Sequence, residues 1–294
     1  MATNKTTNPK SRLRWYQYRL GHLFVLLTVA AIGCAWFRCK RLEANRQRTA
    51  VHAIQELGGW IAYDYEVDAN DLARDNAEPP GPTWFQNLVG VDFLADVVWV
   101  YLNRTQVTNA ELEHLTQLTK LQRLWLSVTQ VSDVGLEHLQ TLTKLKTLSL
   151  EYTQVSGAGL VHLQGMTRLE RLHLSHTQVT DAGLEHLKGL TKLEELRLWH
   201  TGVTDSGLEH LKGLTKLEEL CLVDTQVTGA GLEHLKGLTN LRELQLGGTQ
   251  VSDVGLENLR GLTNLRRLEL NDTQVTDVGV KRLQRALPDC YISR

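Results

Sequence analysis

The chain has 294 residues, with 32 Lys and Arg against 33 Asp and Glu and a formal net charge of −1. Charged residues make up 22% of it, an ordinary balance that excludes a global pull toward nucleic acid or acidic substrates. The four cysteines, Cys34, Cys39, Cys221 and Cys290, are too few and scattered for a disulfide framework and form no Cys-x-x-Cys pair.

Residues 1–19 read as a basic tail containing Arg12, Arg14 and Arg19. Residues 20–37, beginning at Leu20 and ending at Phe37, read LGHLFVLLTVAAIGCAWF and carry no formal charge. As a helix rising 1.5 Å per residue they would extend ~27 Å, about the thickness of a bilayer's hydrocarbon layer. Arg38, Lys40 and Arg41 follow, and Trp15, Tyr16, Tyr18, Trp36 and Phe37 place aromatic rings at both ends, as interfacial anchors do. The expectation is a retained transmembrane helix, a signal anchor, with the membrane as its partner. A cleaved signal peptide is one alternative. Lipidation of Cys34 after Ala31-Ile32-Gly33 is another. Apolar residues continuing through Ala35, Trp36 and Phe37 favour the anchor. Lys and Arg are balanced across the segment and do not orient it. The reading places a short tail in the cytoplasm and everything after residue 37 outside it, since long domains translocate largely regardless of flanking charge.

Residues 38–96 read as a juxtamembrane helix and an N-terminal cap. Ala50, Val51, Ile54 and Leu57 share one helical face, and Gly58-Gly59 ends the helix. Ile61, Tyr63, Tyr65 and Val67 alternate as in a strand, residues 68–82 form a Pro-rich loop, and Trp84, Phe85, Leu88 and Val89 suggest a short helix. An open solenoid needs such a cap to cover its first unit.

Residues 97–288 hold eight copies of a 24-residue unit. Thr105, Thr129, Thr153, Thr177, Thr201, Thr225, Thr249 and Thr273 mark them, with no insertion or deletion. A fixed period in this range signals a solenoid of stacked units. Numbered from Leu121, positions 1, 4 and 6 are leucines, with strand alternation at 4 and 6. The Thr at position 9 suits a buried turn, where its hydroxyl can bond a backbone group. Ser or Thr at position 12, often followed by Asp or Asn, reads as a helix N-cap with an acidic first turn. Leucines at 16, 19 and mostly 22 give a helical face. Each unit is strand, turn, helix, turn, and residues 289–294 add an end strand. Strands pair at ~4.8 Å whereas helices pack at ~8–10 Å, so the sheet curves with strands concave and helices convex. The fold class is α/β.

The pattern LxxLxLxxTxV followed by (S/T)DxGLxxLxxL resembles the leucine-rich repeat family, with Thr where Asn or Cys is usual. The layout of tail, anchor and repeats resembles that of bacterial membrane-anchored leucine-rich repeat proteins. The resemblance implies binding of a protein or peptide partner on the concave face, without catalysis or cofactor. The helix half also looks like the repeats of F-box adaptors, which would imply an intracellular adaptor of ubiquitin-ligase type, although no F-box-like module has room here. A self-associating envelope structural protein is a further alternative.

Comparison among the copies locates a candidate site. Position 17 is Glu in six units and position 18 is His in six, His114, His138, His162, His186, His210 and His234. The strand-face positions 3, 5, 7 and 8 differ in almost every copy. Neutral drift would have varied the exposed helix positions equally, so the contrast favours diversification for a partner. The expected partner-binding residues are Trp99, Tyr101, Arg123, Trp125, Tyr152, Arg171, His173, His176, Arg197, Trp199 and His200. Trp and Tyr are common interface anchors. Glu195, Glu219, Asp224, Glu243, Glu269 and Asp272 make the later strands acidic, interrupted by Arg197 and Arg267. No metal site is expected: rings on successive helices lie too far apart for one ion, and no carboxylate or thiolate completes a set with His173, His176 and His200 on the same strands. No nucleophile motif, phosphate loop or paired carboxylates stand apart from the repeat, so no catalytic residue, cofactor or nucleic-acid partner is expected.

Overall fold

A computed structural model describes residues 9–68, 72–74 and 76–294, with side chains from His22 onward outside the gaps. Arg12, Arg14, Trp15, Tyr16, Tyr18 and Arg19, expected to flank the apolar segment, lie outside the residues with described side chains. The chain divides into two units, Met1–Arg46 and Gln47–Arg294.

Helix α1 (Pro9–Glu56) carries the apolar segment in the first unit and ends within the second. Its most apolar 18-residue window has a mean hydropathy of 1.7 and is wholly exposed. Leu23, Phe24, Leu26, Leu27 and Ile32 all face outward. The Thr28 hydroxyl donates to the Phe24 carbonyl at 2.8 Å, so the helix satisfies this polar group internally, as an apolar environment demands. By length and composition the helix can cross a membrane.

The second unit is built on one ten-stranded sheet in sequence order. Strand β1 (Trp60–Tyr63) pairs antiparallel with β2 (Val97–Tyr101). The parallel strands β3 (Arg123–Trp125), β4 (Thr147–Ser149), β5 (Arg171–His173), β6 (Glu195–Arg197), β7 (Glu219–Cys221), β8 (Glu243–Gln245), β9 (Arg267–Glu269) and β10 (Tyr291–Ser293) follow. Each strand is only three residues long from β3 onward, because the chain turns away after position 5. Leu124, Leu148, Leu172, Leu196, Leu220, Leu244 and Leu268 lie in one register line and are at most 1% exposed. The leucines of the strands and helical segments form one continuous core. A parallel sheet requires such burial of its inner face.

The position-9 threonines behave as their pattern predicts. All eight hydroxyls donate to the carbonyl three residues back, from Thr105 onto Leu102 to Thr273 onto Leu270, at 2.6–2.7 Å. The residue before each adopts positive φ, between 52° and 69°, from Arg104 to Asp272. Only one of the eight is Gly, at Gly248. Positions 7 and 8 therefore lie past the strand in a left-handed turn, a correction to their reading as strand-face positions.

The convex segments are shorter and tighter than one α-helix per unit. Where position 13 is Asp, an α-helical turn forms: Asp133–Leu139, Asp181–Leu184, Asp205–Leu208, Asp253–Leu256 and Asp277–Ala286. Where it is Asn109, Gly157 or Gly229, only 3-10 helix follows. This Asp does more than favour a helix dipole. Asp133, Asp181, Asp205 and Asp253 each accept the backbone N–H and the hydroxyl of Ser156, Thr204, Thr228 and Thr276 in the next unit, at 2.7 and 2.6 Å. The carboxylate thus ties one turn to the next. The glycine three residues after each tied Ser or Thr is required by this tie. A Cβ at Gly207 would run into the Asp181 carboxylate, and one at Gly159 into that of Asp133.

The cap closes the first unit. Ala50, Val51 and Ile54 join the core, and Gly58, at φ 78°, ends the helix. Gln47 accepts from the Val97 N–H at 3.1 Å and donates to the Ala95 carbonyl at 2.8 Å. Tyr63 donates to Asp92 at 2.9 Å, and burial, then the Asp92 charge, raises its pKa above the usual phenol range. β1 stops at Tyr63 rather than reaching Val67, because Glu66 folds back to accept the Tyr63 N–H at 2.7 Å and Asp64–Glu66 coil into a 3-10 turn. Helices α2 (Thr83–Val89) and α3 (Val91–Leu94) complete the cap.

Candidate functional site

The expected binding residues separate into three groups on the concave side. At the amino-terminal end Trp99 is only 7% exposed, packed with Ala62, Val67 and Val98. This corrects the expectation that it meets a partner: cap residues beside it and Arg123 and Trp125 of the next strand enclose its ring. The Arg123 guanidinium lies 4.7 Å from the Trp99 ring centroid, a cation–π contact. Trp125 meets Trp99 edge-on at 6.1 Å and Tyr101 at 5.6 Å. Tyr101 is 44% exposed and offers its ring outward.

The second group sits on the left-handed turns after β4, β5 and β6. Tyr152 stacks on His176 at 4.1 Å and 13°, and His176 stacks on His200 at 4.7 Å. Trp199 meets His176 at 4.6 Å and 74°, and its Nε1 donates to Asp224 Oδ2 at 3.0 Å. Identical turn geometry in adjacent units places these rings one strand spacing apart, which is why they stack. Burial, then the nearby His200, lowers the His176 pKa. Tyr152 and Trp199 remain 49% and 38% exposed.

The third group converges on a residue that sequence reasoning left outside the binding set. Glu195 receives Arg197 Nε at 2.6 Å, His173 Nε2 at 3.0 Å and Arg171 Nε at 3.5 Å. Register explains this, since Arg171 pairs with Glu195 and His173 with Arg197 across β5 and β6. Burial pushes the Glu195 carboxyl up, but the hydrogen bond and charge of His173, with those of Arg197, outweigh it and hold the pKa at about 2. Beyond it, Glu219 and Glu243 continue the same row. Burial and then the charges of Glu195 and Glu243 raise the Glu219 pKa. Three aligned carboxylates at position 3 were legible in the sequence once register was assumed. The convergence on Glu195 was not, because it depends on side-chain reach. The nearby Cys221 thiol is pushed up by burial, the opposite of an activated nucleophile.

The repeated histidines at position 18 are also different from their reading as a solvated face. From His138 to His234 they are half-buried. Nδ1 of His210 and of His234 is enclosed without a partner among the described residues, and His186 Nδ1 bonds Gln164 at 2.8 Å. Their constancy therefore has a packing cause. The contrast between a constant convex face and a varied concave face rests on Glu137, Glu185, Glu209 and their equivalents, which are exposed.

Family and structural comparisons agree with this geometry. A family profile described as Leucine Rich repeats (2 copies) matches residues 239–282, and a second, Leucine Rich repeat, matches residues 166–188. No curated protein sequence matches the chain. Among solved structures, an internalin from Listeria monocytogenes is 28% identical, with a TM-score of 0.54, covering 61% of this chain and 49% of its own. The chain thus spans about half the length of that internalin. An internalin C2 from the same organism is also 28% identical with a TM-score of 0.54, covering 69% of this chain and 82% of its own. With eight stacked units, an inner leucine ladder and these matches, the array has the fold of a leucine-rich repeat solenoid.

Proposed function

We propose that this protein is tethered to a membrane by residues 20–37 and holds a protein or peptide partner on its concave face, without catalysis. The leucine-rich repeat fold typically serves protein–protein interaction. The observation that carries the reading is the set of half-exposed aromatic rings, Tyr101, Tyr152 and Trp199, on the concave side. Exposed aromatic surface of this kind is a usual source of interface hot spots. Arg123, Trp125, Arg171, His173, His176, Arg197 and His200 surround these rings and complete the surface. Trp99 supports it from beneath. The exposed apolar window of α1 supports the tether.

Two experiments test the reading. A photo-crosslinking residue placed at Trp199 or Tyr101 in cells should yield discrete protein adducts, and the same residue at the convex Glu137 should not. Adducts confined to Glu137 would move the interface to the convex face, as lateral self-association requires. Full-length protein should remain in the membrane pellet after an alkaline carbonate wash, with added protease digesting residues 47–294 in intact cells. A soluble protein, a mature terminus beyond residue 30 or a lipid on Cys34 would replace the helical tether.

A further inference from the structure

A groove of about 470 Å³ opens on the concave side between Tyr101 and Tyr152. It exists because the third unit carries Ser149 where its register neighbours carry Trp125 and His173. Ser127, one unit earlier, is equally small. Tyr101, Trp125 and Tyr152 supply aromatic walls. The floor is polar: Ser127 and Ser149 are 8% and 2% exposed, and their hydroxyls share one hydrogen bond of 2.7 Å. Two hydroxyls carry two protons, and that bond uses one. The second proton has no acceptor among the described residues, so it is left to donate to whatever fills the groove. At the rim Asn103 accepts from the Ser127 N–H through Oδ1 at 2.7 Å, which leaves its amide nitrogen to donate. Arg104 adds a cation and Glu151 an anion, so the rim is neutral in sum.

We infer that this groove binds a saccharide ring. A pyranose has apolar C–H faces suited to aromatic walls and hydroxyls that donate and accept at once, matching a rim of mixed donors and acceptors. An apolar side chain seated here would cover the serine pair and leave its spare proton unpaired. A strongly charged ligand meets no net opposite charge. The same chemistry is offered by a free polysaccharide and by a glycan carried on a protein. The groove shares Tyr101, Trp125, Tyr152 and His173 with the protein interface proposed above, whereas Trp199 of that interface lies outside it.

The test uses full-length protein in nanodiscs, free of sugar-headed detergent. Maltotriose, cellotriose, xylotriose and chitotriose are titrated by calorimetry. At least one should bind saturably. Tyr152→Ala and Ser149→Val, the latter filling the floor, should each weaken it at least 10-fold, and Trp199→Ala should leave it unchanged. Circular dichroism checks that each variant is folded. Binding of a glycoprotein bearing the same sugar, lost on enzymatic deglycosylation, would identify a protein-borne source, and binding of the free sugar alone a polysaccharide. Failure of all four trioses to bind, or equal binding by both groove variants, would overturn the assignment. Equal binding of the deglycosylated protein would overturn it in favour of a peptide occupant.

Discussion

At the seam between units, Asp181 reaches Thr204 and Asp205 reaches Thr228 with the same pair of distances. On the concave face the register partners Thr147, Arg171 and Glu195 differ in charge from strand to strand. The two surfaces share one 24-residue period and differ in what they touch. A seam Asp meets the Ser or Thr of the next unit through two hydrogen bonds, so a change in either residue unpairs the other. A concave side chain can change with no such consequence, provided its neighbours on the sheet tolerate it. The first unit shows the seam rule from its exception. It has no preceding unit, so Thr108 has no Asp before it, and Glu111 stands where later units have Gly. Glu111 accepts both the Thr108 N–H, at 2.8 Å, and its hydroxyl, at 2.6 Å. The bond from the Thr108 hydroxyl, then that from its N–H, lowers the Glu111 pKa. The polar groups are satisfied either way, from within or from a neighbour.

The largest expected effect is at the seam. Gly207→Val forces a side chain against the Asp181 carboxylate and should destabilise the array by about 3 kcal/mol, read as a lower urea midpoint. If Gly207→Val keeps the wild-type midpoint, the seam is loose and the constancy of this glycine has another cause. Asp205→Ala strands the Thr228 N–H and hydroxyl and should destabilise by about 2 kcal/mol. Combining it with Thr228→Val should remove part of that loss, because only one donor is then left unpaired; full additivity would show that the two residues do not interact.

Between seam and face lies Glu195, whose contacts are local to one place on the sheet. Its folded pKa, about 2, is below the ordinary 4.5. Its contribution is therefore present above about pH 4.5 and lost as pH falls toward 2. Glu195→Gln should flatten the fall in melting temperature between roughly pH 4.5 and 2, leaving other carboxylates to titrate. An unchanged acid profile would mean that the cluster of Arg171, His173 and Arg197 does not stabilise the carboxylate in solution. The smallest effect is on the face itself. Tyr152→Ala should change stability by no more than about 0.5 kcal/mol, since the ring is half-exposed on a turn. A larger loss would mean that the stack with His176 holds the turns together and belongs with the seam.

Much of the fold was legible because it follows from periodicity. Leu124, Leu126 and Leu136 announce strand and helix faces by spacing, and Thr129 announces its turn by recurring before a constant Val. Trp99 shows where legibility ends. Its position in the repeat is equivalent to that of Arg123, a surface position, and it is buried by cap residues Ala62 and Val67 together with Arg123 and Trp125. Tyr152 and His176 were legible as varied positions, but the left-handed turn that stacks them was not, because non-glycine residues rarely adopt positive φ and give no compositional signal. The position-18 histidines misled for a related reason: periodicity marks them as outward-facing and says nothing of the neighbouring turn that half-covers them.

The sequence by itself determined the array: eight units without insertion, a leucine core, a capping segment and an apolar stretch long enough to span a bilayer. These depend on spacing along one chain, which side-chain type records directly. The tertiary structure decided what depends on distances between units. Asp133 became a tie to Ser156 rather than a helix-end charge, Glu195 became the shared partner of Arg171, His173 and Arg197, and Ser149 became the floor of a groove. In each case at least one partner lies in the neighbouring unit. Its effect is set by strand register and turn geometry, which the identity of a single residue does not carry.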